Sequence, residues 1–291
     1  MSQSQITVFG EVLFDRFADG VDVLGGAPFN VAWHLQAFAQ QPLFISRVGC
    51  DATGEQVRVA MQAWGMAVSG LQSDTAHPTG AVAVTVAEGQ PQYAILPEQA
   101  YDYILPDAAW PISQVLYHGS LALRQTVSRL SLQSLKQRHQ GQIFVDVNLR
   151  TPWWQLVEIE ALFEDADWLK LNDEELQWLR PGPASVKDKL QQLQQQYQLQ
   201  AVVLTCGEQG AAAVTAQGEW LEVKPAAEVT VVDTVGAGDA FAAVLLLGIA
   251  KAWPLAVSLP RAQAFASALV GQRGATVQDR GFYQPFIADW L

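Results

Sequence analysis

The sequence predicts an α/β protein built around a mainly parallel sheet with helices on both faces. Short β-branched segments alternate along the chain with longer segments whose apolar residues recur every three or four positions. Repeated strand–helix units of this kind form parallel sheets that helices cover on both sides. The strand candidates include residues 6–10, 43–48, 115–117, 143–147, 168–171 and 202–205, and the helix candidates include 30–39, 54–64 and 124–139.

One stretch departs from this alternation. Two β-rich segments, residues 81–86 and 92–96, lie on either side of Glu88 and Gly89. Both segments are too rich in β-branched residues for a crossover helix, and a glycine-containing turn joins them. The pattern therefore predicts a β-hairpin.

Composition limits the classes of function. The chain has 291 residues, of which 50% are hydrophobic, so it can bury a substantial core, and its net charge of −12 argues against binding nucleic acid or an anionic membrane. The longest apolar stretch, residues 240–250, is too short for a membrane span of about 20 residues and predicts a buried helix. Two distant cysteines, Cys50 and Cys206, without a CxxC motif and with no basic leader, predict a reduced protein in the cytoplasm.

The most informative motif precedes that apolar helix. Gly236, Ala237 and Gly238 are followed by Asp239 at the predicted helix start. Exposed backbone amides at a helix N-terminus bind anions, and a neighbouring carboxylate can accept a proton from an attacking hydroxyl. The alternative is a glycine turn in which Asp239 only complements the helix dipole. Neither a GxxxxGK[ST] loop nor a GxGxxG fingerprint after the first strand is present.

A second polar group lies early in the chain. Gly25 and Gly26 allow the backbone to approach a ligand closely, and Asp15 and Asn30 offer acceptors and donors suited to sugar hydroxyls. The alternative is a tight turn followed by a helix that Asn30 caps.

Polar residues also follow two of the central strand candidates. Arg150, which comes shortly after Asp146, could meet phosphate charge at a strand end, or the two residues could form an internal ion pair. Asn172 and Glu175 share one helix face and suit a hydrated magnesium ion, although an acidic first helical turn has the same pattern.

A fifth segment, Thr205 to Gly210, follows another strand candidate and by itself says little about function. All five polar segments lie where a predicted strand ends or a helix begins. Ligands of open α/β sheets bind at the carboxyl ends of the strands. The combination therefore predicts one ligand site along a single sheet edge.

The same motifs, in the same order, resemble the ribokinase-like (PfkB) carbohydrate kinase family, and most closely its bacterial fructokinases. The resemblance rests on Gly25 to Asn30, on the NxxE motif at Asn172 and Glu175, and on the segment from Asp233 to Asp239. It implies a single domain, residues 1–291, with a three-layer α/β/α sandwich. It also implies a small discontinuous β-sheet lid, formed by about residues 15–26 and 79–97.

The resemblance implies an ATP-dependent kinase that phosphorylates fructose. Asp239 would be the general base, Gly236, Ala237 and Gly238 the anion hole, and Arg150 the neutralising cation. Asp15, Gly25, Gly26 and Asn30 would hold the sugar, Asn172 and Glu175 would organise Mg²⁺ and its waters, and Thr205 and Gly207 would lie beside ATP.

Further implications concern ions, partners and related activities. Asp233, the carbonyl of Val235 and the loop at Gly274 correspond to a monovalent cation site suited to K⁺. Gln263 stands where many relatives carry Asn near the adenine, so the resemblance does not predict the contacts to the adenine base. The lid could support a homodimer. The alternatives are a ribose, ketodeoxygluconate or nucleoside kinase, or a non-catalytic sugar or nucleotide sensor.

Overall fold

A computed structural model describes residues 5–18, 20–87, 90–225 and 230–291. Its strands form two sheets: one of nine strands in the order β13-β12-β11-β10-β9-β8-β1-β4-β5 and one of four in the order β3-β2-β6-β7. The strands are β1 Ile6–Phe9, β2 Leu13–Phe17, β3 Asp22–Gly25, β4 Leu43–Gly49, β5 Leu71–Asp74, β6 Gly80–Ala87, β7 Gln90–Ile95, β8 Val115–His118, β9 Gln142–Asp146, β10 Trp168–Asn172, β11 Ala201–Thr205, β12 Ala211–Thr215 and β13 Trp220–Val223.

The large sheet is parallel from β5 to β11, as the alternating pattern predicts, because helical crossovers connect these strands. Strands β12 and β13 extend it antiparallel. The sequence prediction did not include these two strands. A short connection from β11 at Gly207–Gln209 reverses the chain, so no crossover helix separates them.

Helices cover both faces of the large sheet. They are α1 Ala27–Ala37, α2 Ala52–Trp64, α3 Thr126–Arg138, α4 Leu156–Phe163, α5 Asp173–Leu179, α6 Val186–Tyr197, α7 Ala237–Ala250, α8 Leu255–Val270 and α9 Gln284–Trp290. Because side chains alternate across a strand, neighbours such as Phe44 and Ile45 enter different cores. One core lies under α1, α2, α7 and α8, and the other under α3 to α6. The predicted three-layer arrangement is confirmed.

The small sheet joins two separate parts of the chain. Strand β2 pairs antiparallel with β3 and parallel with β6, and β6 pairs antiparallel with β7. The predicted hairpin at β6 and β7 is confirmed, whereas the predicted turn residues Glu88 and Gly89 lie outside the described residues. Strand β2, the first strand of the small sheet in chain order, begins at Leu13, two positions before the predicted start of the lid.

Two helices lie close to the predicted site. Helix α7 contains the long apolar stretch and is buried along most of its length. Helix α1 begins at Ala27 rather than at Asn30, because Gly26 provides the N-cap position and Pro28 occupies the first turn, where proline is favoured. Within the described ranges, no helix combines the length and the apolar character needed to cross a bilayer.

Candidate active site

The first turn of α7 has the geometry that the glycine motif predicts. Gly236 has a φ of +79° and packs so closely on Ala275 that an added Cβ would collide with it. The positive φ turns the chain into the helix, whose first-turn amides have no partners inside the helix. The Ala237 amide donates a long hydrogen bond of 3.3 Å to the Thr234 carbonyl oxygen. Asp239 lies in this turn, so a carboxylate stands beside the candidate anion hole of Gly236, Ala237 and Gly238.

Asn30 joins the early polar group to this turn. Its Nδ2 donates a hydrogen bond of 2.8 Å to Oδ2 of Asp239, across 209 positions of sequence. The side chain of Asn30 therefore does not cap α1, and the cap interpretation is wrong. Gly26, with a φ of +108°, lies against the backbone of Glu11, where an added Cβ would come within 2.8 Å of the Glu11 carbonyl oxygen.

Asp239 retains some solvent contact, but protein atoms surround its carboxyl group closely. This burial raises the pKa of Asp239 to about 6, the hydrogen bond from Asn30 lowers it, and the negative charge of Asp146 raises it. The positive charges of Lys170 and Arg150 lower it further. A carboxylate with a pKa in this range can accept a proton near neutral pH.

Arg150 connects Asp239 electrostatically with Asp15. Burial raises the pKa of Asp15, which lies in β2 of the small sheet, and the positive charge of Arg150 partly offsets that effect. Arg150 itself is exposed and donates a hydrogen bond of 3.0 Å to the Leu149 carbonyl oxygen. An exposed guanidinium within range of both carboxylates suits an anionic ligand that arrives between the two sheets.

The carboxylate of Asp146 pairs with Lys170 and not with Arg150. Both oxygens of Asp146 accept hydrogen bonds of 2.9 Å from the Lys170 ammonium, and both residues are buried. The internal Asp–Arg pair considered from sequence is therefore wrong. Sequence reasoning did not include Lys170 in the site, although a lysine between Leu169 and Leu171 in a buried strand is an anomaly that could have identified it.

Asn172 and Glu175 form a capping box at the start of α5. The Asn172 side chain accepts a hydrogen bond of 2.9 Å from the Glu175 amide, and Glu175 accepts one of 2.8 Å from the Asn172 amide. The second carboxylate oxygen of Glu175 accepts a 2.7 Å bond from Leu149, next to Arg150. Each oxygen keeps a further lone pair, so the box is compatible with binding a hydrated ion.

The candidate nucleotide residues lie at the same sheet edge. Thr205 is paired with Asn172 in the register of β11 and β10. Gly207 follows with a φ of +52° and open space around it. Gln263 lies in α8, is buried and donates a 3.0 Å hydrogen bond to Ser267.

Asp233 organises the loop before α7. Its two oxygens accept hydrogen bonds from the Val235 amide at 3.0 Å and from the Gly274 amide at 2.9 Å. The three segments of the predicted cation site therefore lie together. Among the described residues, no group of three or more His, Cys, Asp and Glu side chains is arranged to hold a metal.

A further buried carboxyl group, Glu11, was not predicted. It is 2% exposed, and its Oε2 has no hydrogen-bond partner among the described residues. Burial raises the pKa of Glu11 to about 7, Arg150 and Arg124 lower it, and Asp239 raises it. Its position directly after β1, at the carboxyl edge, was the only sequence signal.

The geometry brings together two glycine motifs, a partly buried candidate base and an exposed arginine. The model of the pfkB family carbohydrate kinases matches residues 6–280. The chain belongs to this family. Its members transfer a phosphoryl group to a sugar, so the chain is an ATP-dependent sugar kinase.

Individual relatives agree with this family. The chain is 31% identical to a fructokinase of Klebsiella pneumoniae over 264 residues, 84% of each protein. The fructokinase from Vibrio cholerae O395, solved with fructose, ADP and calcium, superposes with a TM-score of 0.80 at 26% identity, covering 98% of this chain and 99% of that one. A double mutant of the Vibrio enzyme was solved with fructose, ADP and potassium.

A second kind of kinase is similar in structure. The aminoimidazole riboside kinase from Salmonella enterica, solved with its riboside and an ATP analogue, has a TM-score of 0.83 at 26% identity. The superposition covers 97% of this chain and 99% of the Salmonella chain. These neighbours confirm the ribokinase-like fold.

Proposed function

We propose that the protein transfers the γ-phosphoryl group of MgATP to fructose and forms fructose 6-phosphate. The hydrogen bond of 2.8 Å between Asn30 and Asp239 carries the proposal, because it joins the candidate sugar-binding segment to the candidate base. The fructokinases of Klebsiella and Vibrio among its relatives support fructose as the acceptor.

In the proposed reaction Asp239 removes the proton from the attacking sugar hydroxyl. Gly236, Ala237 and Gly238 stabilise the transferring phosphoryl oxygens through backbone amides at the start of α7. Arg150 neutralises charge on the phosphates. Positioning and charge stabilisation supply most of the catalysis in phosphoryl transfer, which matches a site composed of such groups.

Asp15, Gly25, Gly26 and Asn30 hold the sugar in this proposal. Asn30 has a buried Oδ1 without a partner among the described residues, which supports a hydroxyl donor in the bound state. The small sheet carries Asp15 and acts as the lid, because its closure over the sugar would exclude water from the phosphoryl group.

Thr205 and Gly207 lie beside ATP, and Asn172 and Glu175 hold Mg²⁺ through its waters. Magnesium retains several waters when it binds few protein groups, which agrees with a capping box as its contact. Asp233, the Val235 carbonyl and the Gly274 loop bind K⁺ in the proposal. The potassium ion in the Vibrio variant supports this assignment.

We further propose that residues 1–291 act as one domain in the cytoplasm. Cys50 and Cys206 are both free, which agrees with a reducing compartment.

A coupled assay of ADP formation tests the substrate. Fructose, ribose, ketodeoxygluconate, tagatose and adenosine are compared at matched concentrations with MgATP, and a reaction without sugar serves as the blank. Fructose is expected to give the highest kcat/KM. ADP formed only with another member of the panel would contradict fructose but not sugar-kinase activity, and tight fructose binding without ADP would indicate a sensor.

A riboside is the second candidate acceptor. The likeness to the Salmonella riboside kinase, at a TM-score of 0.83, is the observation that favours it. A higher kcat/KM for adenosine or another riboside than for fructose would support this alternative.

A further inference from the structure

The buried pair of Lys170 and Asp146 lies directly beneath the start of α7. The two residues are cross-strand partners of β10 and β9, so both side chains point to the same face of the sheet. That face packs against α7, since Phe144 and Val203 on it share a core with the apolar side chains of α7. A Cβ added to Gly238 would lie 3.6 Å from the Lys170 ammonium nitrogen.

Stability alone does not account for an ion pair at this position. The neighbouring residue on the same row of the sheet is Val203, and Phe144, two positions before Asp146 on the same face, is also apolar. Replacing a buried ion pair with well-packed apolar residues is often neutral or stabilising. Lys170 and Asp146 are 5% and 2% exposed, so both charges of the pair are almost completely removed from water.

The pair faces the candidate base. Asp146 and Lys170 carry opposite charges, which act on the pKa of Asp239 in opposite directions. The polar and titratable groups around Asp239 and the pair include Asn30 from α1, Arg150 after β9, Glu11 after β1, Tyr117 from β8 and Glu175 from α5, on which both charges of the pair also act. Of these, Tyr117 also reaches Asp146, with its hydroxyl 3.4 Å from Oδ2.

We propose that Lys170 and Asp146 are positioning residues that set the charge around Asp239 and support the anion hole at Gly238. The proposal rests on the proposed role of Asp239 as base. Lys170 presents a fixed positive charge beneath the helix start, and Asp146 holds that ammonium in place with two hydrogen bonds. The balance of the two charges determines the pH at which Asp239 becomes available to accept a proton.

Four variants test this proposal. D146N removes the negative charge, K170Q removes the positive charge while keeping a hydrogen-bond donor, and the double variant removes both. K136Q is the matched control, because Lys136 is also a largely buried lysine that pairs with an aspartate, at 3.8 Å from Asp165, but on α3 and away from the site. Circular dichroism and thermal melting establish that each variant is folded.

The main readout is the titration of the Asp239 carboxyl carbon by ¹³C NMR, with D239N identifying the signal. We expect the midpoint to fall by about 1 unit in D146N and to rise by about 1 unit in K170Q, the scale of a single nearby charge. In the double variant the midpoint for Asp239 should lie between those of the two single variants. In K136Q it should equal that of the wild type. Shifts of both single variants in one direction, or no larger than in K136Q, would overturn the proposal.

The pH dependence of kcat/KM is the second readout, and it should shift in the same directions as the NMR midpoint. The acid limb of kcat/KM for the active sugar should move down in D146N and up in K170Q. If K170Q does not fold, D146N decides alone, and an unchanged midpoint overturns the proposal. The NMR titration needs no substrate, so failure of every sugar in the ADP assay would contradict the proposed function while the effect on Asp239 is still measured.

Discussion

In the proposed reaction, Asp239 is the residue on which the chemistry depends. It combines the place that a base needs, in the first turn of α7, with a pKa of about 6 that burial raises. Its partner Asn30 fixes the carboxylate without neutralising it. An uncharged amide at position 239 could keep the hydrogen-bond geometry but could not accept a proton.

For D239N we therefore expect kcat to fall by about 10²–10⁴, the usual contribution of a general base. The melting temperature should stay close to that of the wild type. D165N is the matched control, because the Asp165 side chain is 63% exposed and remote from α7. Steady-state kinetics with the active sugar checks the result, and a D239N enzyme with near-normal kcat would refute the role of base.

Glu11 makes stability depend on pH in an unusual direction. Burial raises its pKa from 4.5 to about 7, so the folded protein holds a proton that the unfolded chain releases. The stabilisation is complete below about pH 4.5 and is lost as the pH rises through about 7. His34 acts oppositely, since burial lowers its pKa to about 4 and stability falls as the solution becomes acidic.

The comparison of wild type with E11Q isolates the effect of Glu11. From pH 4.5 to pH 8 the wild type should lose roughly 3 kcal/mol of unfolding free energy relative to E11Q, at about 1.4 kcal/mol for each unit of pKa shift. Urea unfolding at a series of pH values measures this difference. Parallel pH curves for the two proteins would contradict a buried, protonated Glu11.

At the scale of elements, the turn into α7 determines the position of the proposed anion hole. Gly236 combines a positive φ of +79° with contact against Ala275. Gly218, in the turn between β12 and β13, has a similar φ of +78° but open space around it. Comparing alanine substitutions at the two glycines therefore separates the effect of backbone strain from the effect of crowding against Ala275.

For G218A we expect a loss of about 1 kcal/mol, the cost of a left-handed alanine. G236A should lose more than this and should also lose most of its kcat, since the collision with Ala275 displaces the helix start. Chemical unfolding and steady-state kinetics check the two effects. Equal destabilisation of both variants, with full activity in G236A, would show that the turn does not position the anion hole.

At the scale of the whole molecule, the small sheet presents an exposed apolar surface beside the site. Phe17 and Tyr93 lie in one row across β2, β6 and β7, with the buried Val84 between them, on the face that also carries Asp15. Tyr93 is 55% exposed and Phe17 is 38% exposed. An apolar face next to the candidate sugar site suits either a lid surface or the homodimer contact that the family resemblance implies.

We expect the wild type to be a dimer through this face and Y93D to be a monomer. L130D is the matched control, because Leu130 on α3 is 58% exposed but lies outside the small sheet. Sedimentation velocity over a range of concentrations measures the assembly. A monomeric wild type, or dissociation of L130D but not of Y93D, would contradict a dimer through the small sheet.

The sequence by itself determined the order of the strand–helix units, the hairpin and the positions of the glycine motifs. These features depend on local periodicity and on backbone conformations that glycine permits, both of which are visible along the chain. The antiparallel edge of β12 and β13 was missed because short apolar segments there have no periodicity that distinguishes them from loops.

Only the tertiary structure decided which side chains meet. In the structure, Asn30 donates a hydrogen bond to Asp239 and does not cap α1. Asp146 pairs with Lys170 and not with Arg150. Glu11 is buried near the candidate site. Partner choice and pKa depend on burial and on distances across strands, which sequence spacing does not contain. The residues of the candidate site could therefore be proposed from the sequence, whereas their pairing required the fold.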